Sequence, residues 1–175
     1  MPEWTDYPEQ LTPYLYRDVR AMGMETAMDL PRPFFLKPRR PKEFAAAVVD
    51  DRPEWGYMLC RHREDTPVWV SPVVEFQTEW RVYVLRGDVV GWAPYKGDPL
   101  IVPTVYAVRD TVRAFAPAPA AYVLDVGVAR GWTTLVEVNE GYAFGAYGLR
   151  EWHHAEMLAA RWAEIVDYAM ARRAA

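Results

Sequence analysis

Val123-Leu124-Asp125-Val126-Gly127-Val128 and Thr133-Thr134-Leu135-Val136-Glu137-Val138-Asn139 are two apolar runs that deliver acidic or amide oxygens at a fixed offset. Both predict strands, and the segment between them, with Gly127 and Gly131, predicts a hairpin connection. Glu137 and Asn139 are two apart, so their side chains share a face. If the strands pair, Asp125, Glu137 and Asn139 converge at one end of a sheet. Hard oxygens that converge suit Mg²⁺, which favours carboxylates together with substrate phosphates. The plainer reading of Asp125 is a polar strand end facing water. That reading weakens if Asp125 is buried, because an unpaired buried carboxylate is costly.

Working outward, Glu79-Trp80-Arg81-Val82-Tyr83-Val84-Leu85 alternates, Arg86-Gly87-Asp88 turns, and Val89-Val90-Gly91-Trp92 returns, which predicts a second hairpin. Glu79 and Arg81 fall on one face, and Trp80 on the other. An arginine aimed inward holds a phosphate or carboxylate bidentately, whereas on an outward face it is an ordinary solvated charge. Glu79 either joins a site or pairs with Arg81 or a cross-strand lysine. Tyr95-Lys96-Gly97-Asp98 reads as a solvated turn, from which Lys96 is placed to neutralise substrate or phosphate charge.

Phe34-Phe35-Leu36-Lys37 predicts a short strand ended by Pro38, and Pro38-Arg39-Arg40-Pro41 a basic turn. Lys37 is either a solvated strand-end lysine or a mobile point charge for phosphate oxygens. One helix is expected over residues 11–28, an alanine-rich one over 42–50, another over 103–115, and a last one from about 151 to 172. Tyr57 to Cys60 and Val68-Trp69-Val70 predict further strands, the latter followed by a Ser71-Pro72 connector. Antiparallel hairpins with flanking helices make the class α+β.

At 175 residues the chain can bury one core, or two small lobes around a cleft. A formal net charge of −4 argues against a general nucleic-acid coat. The single cysteine, Cys60, cannot form an internal disulfide, which fits a reducing cytosol. No run is apolar and long enough for a membrane helix, and the acidic start lacks a signal peptide's regions, so a cytoplasmic protein is expected. Three histidines without zinc-like spacing give no zinc site.

Phe35-Leu36-Lys37-Pro38, Val70-Ser71-Pro72-Val73-Val74-Glu75, Glu79-Trp80-Arg81-Val82-Tyr83-Val84, Asp125-Val126-Gly127 and Glu137-Val138-Asn139 occur in this order over residues 34–148. That ordered set resembles the ATP-grasp family, in one of its small, divergent carboxylate–amine ligase-like branches. The resemblance implies two small lobes of antiparallel sheet with a nucleotide cleft between them. It implies a Lys37 that contacts ATP phosphates and a segment from Val70 through Ser71 to Val73 that reads the adenine edge. Glu75 or Glu79 would take the ribose hydroxyls. Arg81, with Lys96 as a helper, would steady the phosphate and an acyl-phosphate intermediate, and Asp125, Glu137 and Asn139 would hold Mg²⁺. The usual glycine-rich flap is replaced by a stiff basic turn, where Arg39, Arg40 or Lys42 would supply charge. Arg109 and Tyr147 complete the candidate substrate contacts, each with a plainer surface reading.

The implied organisation is residues 1–33 as a leader and helix standing in for the usual N-terminal domain, 34–70 as a small lobe, and 71–175 as a larger lobe. The implied activity is an ATP- and Mg²⁺-dependent ligase that joins a small-molecule or peptide carboxylate to an amine. A non-catalytic nucleotide-binding module and a phosphotransferase are the alternatives. A homo-oligomer or a partner subunit would complete the substrate side.

Overall fold

The computed structural model describes residues 4–40, 42–52, 55 and 65–174. The chain divides into two compact units: Arg17–Glu75, and Met1–Tyr16 together with Phe76–Ala175.

The first unit contains β1 (Arg20–Gly23), α1 (Met24–Met28), β2 (Phe34–Pro38), β3 (Ala47–Val49) and β4 (Pro67–Ser71). The strands form an antiparallel sheet in the order β1-β4-β2-β3. Along β2, Phe34, Leu36 and Pro38 are buried while Phe35 and Lys37 are half-buried, which is the period of two that a one-sided core requires. Phe34 and Leu36 pack with Met24, Ala27, Val49, Val68 and Val70. Burying Leu36 completely contributes about 1.5–3 kcal/mol before the entropy cost of ordering it.

Two sequence expectations are corrected in this part of the chain. Residues 11–28 are not one helix: a 3₁₀ turn covers Glu9–Tyr14, β1 follows, and α1 is only Met24–Met28. Pro13 lies within the 3₁₀ turn and cannot donate to an α-helical ladder, and Arg20–Gly23 find their partners across the sheet in Pro67–Val70. Residues 42–50 do not form an alanine-rich helix either. Lys42 has a φ of +64°, which no right-handed helix accepts, and Ala47–Val49 pair with Phe34–Leu36. Alanine's helix preference is a few tenths of a kcal/mol per residue, and the sheet edge outweighs it. The strand expected at Tyr57 to Cys60 lies outside the described residues.

The second unit holds β5 (Thr78–Leu85), β6 (Asp88–Gly97), α2 (Val105–Ala114), β7 (Ala121–Ala129), β8 (Trp132–Glu140) and α3 (Glu151–Ala174). Its antiparallel sheet runs β6-β5-β7-β8. Both hairpins turn on an Arg-Gly pair with positive φ at each residue: Arg86-Gly87 at +50° and +87°, and Arg130-Gly131 at +52° and +81°. Two left-handed residues match the twist of the strands they join. Gly127, expected in the connection, instead lies inside β7, where a Cβ would come within 2.3 Å of the Phe76 ring. It permits a close approach of side chain to backbone.

All nine residues of β7 are buried, because this central strand is covered on both faces. On one face Tyr83, Leu85, Ala121 and Val123 pack with Leu149 and with Met157 of α3. On the other, Phe115 at the end of α2 meets the Tyr122 ring edge-on at 5.0 Å. No described helix is long and apolar enough to cross a membrane. Two four-stranded antiparallel sheets with flanking helices confirm the α+β class.

Candidate nucleotide and metal site

The strand register builds the site. β5 pairs with β7 so that Arg81 lies opposite Asp125, and β7 pairs with β8 so that Asp125 lies opposite Glu137. Asn139 follows two residues after Glu137, on the same face. Arg81 Nε donates to Asp125 Oδ1 at 2.8 Å, and its terminal nitrogen donates to Oδ2 at 2.7 Å. Asn139 Nδ2 donates to Asp125 Oδ2 at 2.9 Å and to Glu137 Oε1 at 3.2 Å. The structure thus brings together the arginine, both acids and the amide that the sequence singled out, on one face of one sheet.

Burial sets the electrostatics. The Asp125 side chain is only 2% exposed. Burial pushes its carboxyl above the ordinary value, the Arg81 hydrogen bonds and charge pull the other way, and the Glu137 charge adds to the rise. Arg81 stays above its usual value: burial disfavours its charge, but the Asp125 carboxylate more than compensates. Asn139 donates one amide group toward two acids, as a cation would. With a half-turn of that amide, its oxygen replaces its nitrogen and the set becomes two carboxylates and one amide oxygen. Mg²⁺ needs no more protein ligands than this, since it keeps waters and phosphate oxygens for the remaining positions. The donor set therefore fits Mg²⁺. Among the described residues no three His, Cys, Asp or Glu side chains group as a metal site, so the amide is an essential member.

Two tyrosines flank the arginine. The Arg81 guanidinium carbon lies 5.3 Å from the Tyr95 ring centre and 5.1 Å from that of Tyr147, and the two rings stack at 5.6 Å and 23°. Tyr147 holds a φ of +25°, outside the comfortable region for a bulky residue. Its loop is tied to the sheet by the Tyr83 hydroxyl, which donates to the Gly145 carbonyl at 3.0 Å. Burial pushes the Tyr83 phenol up to about 12, so it remains a donor at neutral pH.

Tyr95 was not singled out in the sequence, and the reason is local. Residues 95–97 were expected in a solvated turn, but β6 continues through Gly97. Glu79 pairs with Lys96 while Trp80 pairs with Pro94, so Tyr95 is the extra residue of a bulge. Its hydroxyl donates to Glu79 Oε2 at 2.7 Å, and Lys96 pairs with Glu79 Oε1. Of the readings open for Glu79, the cross-strand lysine is the one the structure contains.

The remaining candidates lie elsewhere. Lys37 is half-buried on β2 in register with Trp69, Val70 and Ser71 are buried, and Glu75 is exposed, all in the first unit. Val73 is 37% exposed. Arg39 and Arg40 are exposed at the turn after β2, with the Arg39 guanidinium 4.9 Å from the Trp69 ring centre, and Lys42 is exposed two residues beyond Arg40. Arg109 is exposed on α2, whose end packs on the sheet face opposite Asp125, so it is not part of the Arg81 cluster.

Comparison with known proteins agrees with this geometry. A family model described as an ATP-grasp domain, the second family of its clade, matches residues 14–157. No curated protein matches. Among solved structures, the chain is similar to D-alanine–D-alanine ligase from Bacillus anthracis, at 14% identity and a TM-score of 0.59 over 87% of this chain and 64% of that one. It is similar to a RimK domain ATP-grasp protein from Sphaerobacter thermophilus, at 20% identity and 0.56 over 82% and 58%. It is also similar to L-amino acid ligase from Bacillus licheniformis, at 13% identity and 0.56 over 82% and 45%. At these identities the likeness is one of fold, and the chain spans less than two thirds of each of these proteins. The matched residues include β2, the β5–β6 hairpin and the whole Asp125–Asn139 hairpin. With the family's motifs standing in order on the strands described above, the chain belongs to the ATP-grasp domains, in the second family of that clade.

Proposed function

We propose that the protein is an ATP-dependent, Mg²⁺-requiring ligase that joins a carboxylate to an amine through an acyl phosphate. The observation that carries this reading is the Arg81–Asp125–Glu137–Asn139 cluster on one sheet face. A structure of the ATP-grasp ligase PsnB, similar in fold at 14% identity and a TM-score of 0.56, was solved with Mg and ADP.

Asp125, Glu137 and Asn139 would hold Mg²⁺, which would neutralise phosphate charge. Arg81 is a permanent cation held in place by Asp125 and by the two tyrosine rings, so it meets developing negative charge without reorganising. In the first step a carboxylate oxygen of the substrate attacks the γ-phosphorus, the bond to the bridging oxygen breaks, and ADP leaves. In the second, the amine nitrogen attacks the acyl carbon, phosphate leaves, and the nitrogen releases its proton. Lys37 would contact the ATP phosphates, with Val70 to Val73 at the adenine and Glu75 or Glu79 at the ribose. Lys96, held by Glu79, would favour an anionic substrate, and Tyr147 would border the incoming amine.

The test is product identity. Over a panel of amino acids, peptides and polyamines, ATP should give ADP and free phosphate in step with a new amide bond, and hydroxylamine should trap the activated carboxylate. AMP and pyrophosphate would instead mark an adenylating enzyme. Tight Mg²⁺–ATP binding with neither ADP nor trapping would mark a non-catalytic module, and a phosphorylated stable acceptor a phosphotransferase.

A further inference from the structure

The second unit has a cavity of about 390 Å³ that the proposed ligase chemistry does not use. That volume lies within the range of about 300–1,000 Å³ typical of small-molecule pockets. Its apolar walls are the rings of Trp4, Phe115, Pro117 and Pro119, and its polar groups include Arg161, Glu164 and Glu9. Phe115 packs on Tyr122, so the cavity borders the sheet face opposite Asp125.

The charges in this cavity favour one sign of ligand. Arg161 is buried, and its donors are already directed at acids: Nε to both Glu140 oxygens at 3.2 and 3.0 Å, one terminal nitrogen to Glu140 at 2.5 Å, and the other to Glu164 at 2.6 Å. Its guanidinium also lies 5.8 Å from the Trp4 ring centre. Glu9 adds a carboxylate at the exposed rim. The single cation Arg161 is thus set against three carboxylates, Glu140, Glu164 and Glu9, and the surplus is negative. An anionic ligand would be repelled. A ligand with a flat apolar body and a cationic donor would fill the ring-lined wall and offset that surplus.

The cavity is also wired to the strand that carries Glu137 and Asn139. The Asp6 carbonyl, two residues beyond Trp4, accepts the Val138 amide at 2.9 Å, and Glu140 at the end of β8 is the acid clamped by Arg161. We propose that this cavity is a second small-molecule site, selective for aromatic amines, whose occupancy tightens the Asp6–Val138 link to β8. The proposal rests on the fold and charge of this unit and stands apart from the ligase reading.

The test titrates the full chain with 2-phenylethylamine, and with 3-phenylpropionate as a probe of similar shape and opposite charge. Calorimetry should give saturable binding of the amine at least about tenfold tighter than of the acid. Ala118 is exposed in the proline turn lining the cavity, and Ala118→Phe should fill the space and raise the amine's dissociation constant by about tenfold. Glu9→Gln, at the exposed rim, should raise it by about threefold, as expected for one solvated charge. Exchange of the Val138 amide should slow when the amine is bound and not in Ala118→Phe. No saturation, equal binding of the acid, an unaffected Ala118→Phe variant or an unchanged Val138 amide would each overturn the proposal. Binding lost in Glu137→Gln but kept in Ala118→Phe would place the amine at the Arg81 cluster and overturn it as well.

Discussion

Arg81 and Arg161 are both largely buried arginines of the same unit, each with two acids close by, yet they are compensated differently. Both acids at Arg161 bond the guanidinium directly, tying the last residue of β8 to α3. At Arg81 only Asp125 bonds the guanidinium, while Glu137 meets Asp125 through the neutral Asn139 amide. The first arrangement closes an ion network with its own cation. The second leaves two carboxylates converging on an amide that a metal can replace. The lesson is that burial of a charge does not separate scaffold from site; the pattern of compensation does.

The largest expected effect breaks the closed network. Arg161→Met would leave Glu140 with no guanidinium in a site where its side chain is 12% exposed, and removing one partner of a buried pair costs about 3–5 kcal/mol. Glu164 is 37% exposed and is solvated more cheaply, so most of the loss comes from Glu140. Denaturant unfolding should show it, and Mg²⁺ should restore none of it.

Arg81→Ala should behave differently. It also strands a buried acid, but Mg²⁺ should recover part of the lost stability because the remaining oxygens hold a cation. Turnover should fall about 10²-fold or more, as when a preorganised donor to developing charge is removed. Equal Mg²⁺ responses in Arg161→Met and Arg81→Ala would erase the contrast between the two clusters.

Glu137→Gln sharpens the comparison further. It removes a like charge beside Asp125, so metal-free stability should hold or rise by up to about 1 kcal/mol, while stabilisation by Mg²⁺ and nucleotide falls away. A loss of metal-free stability instead would make Glu137 a structural ligand like Glu140. Tyr147→Ala should have a smaller effect. It removes one ring from the half-exposed side of Arg81, worth about 0.5–1 kcal/mol, and relieves the strained φ. A drop in turnover of about two- to fivefold is expected, with little change in unfolding midpoint.

The mildest effect is in pH dependence. The folded Asp125 carboxyl titrates above its ordinary value of 3.8, so the folded state binds more protons there than the unfolded chain. Its contribution to stability is present below that value and is lost as pH rises through the folded value. Metal binding should strengthen over the same window, since Mg²⁺ needs the ionised acid. Asp125→Asn should flatten both slopes, and slopes that persist in that variant would belong to another group.

Much of the site was legible because its members sit at strand spacing. Glu137 and Asn139 share a face by the period of two alone, and the Arg-Gly pairs at residues 86–87 and 130–131 carry the chemistry of tight hairpins. Tyr95 was not legible, because a bulge in β6 changes which residue faces the site and no composition signal marks it. Arg161 was hidden for another reason. In sequence it is one more arginine on a polar helix, and only the docking of α3 beside β8 gives it Glu140, 21 residues away.

The sequence alone determined the α+β class, the antiparallel hairpins and the identity of the arginine, acids and amide, because periodicity and side-chain chemistry are local properties. It misjudged residues 11–28 and 42–50, where the few tenths of a kcal/mol in helix propensity yielded to pairing across a sheet. Only the tertiary structure decided that Arg81 bonds Asp125, 44 residues away, while Glu79 bonds Tyr95 and Lys96. Those choices depend on register, and register is fixed by which faces the whole unit buries.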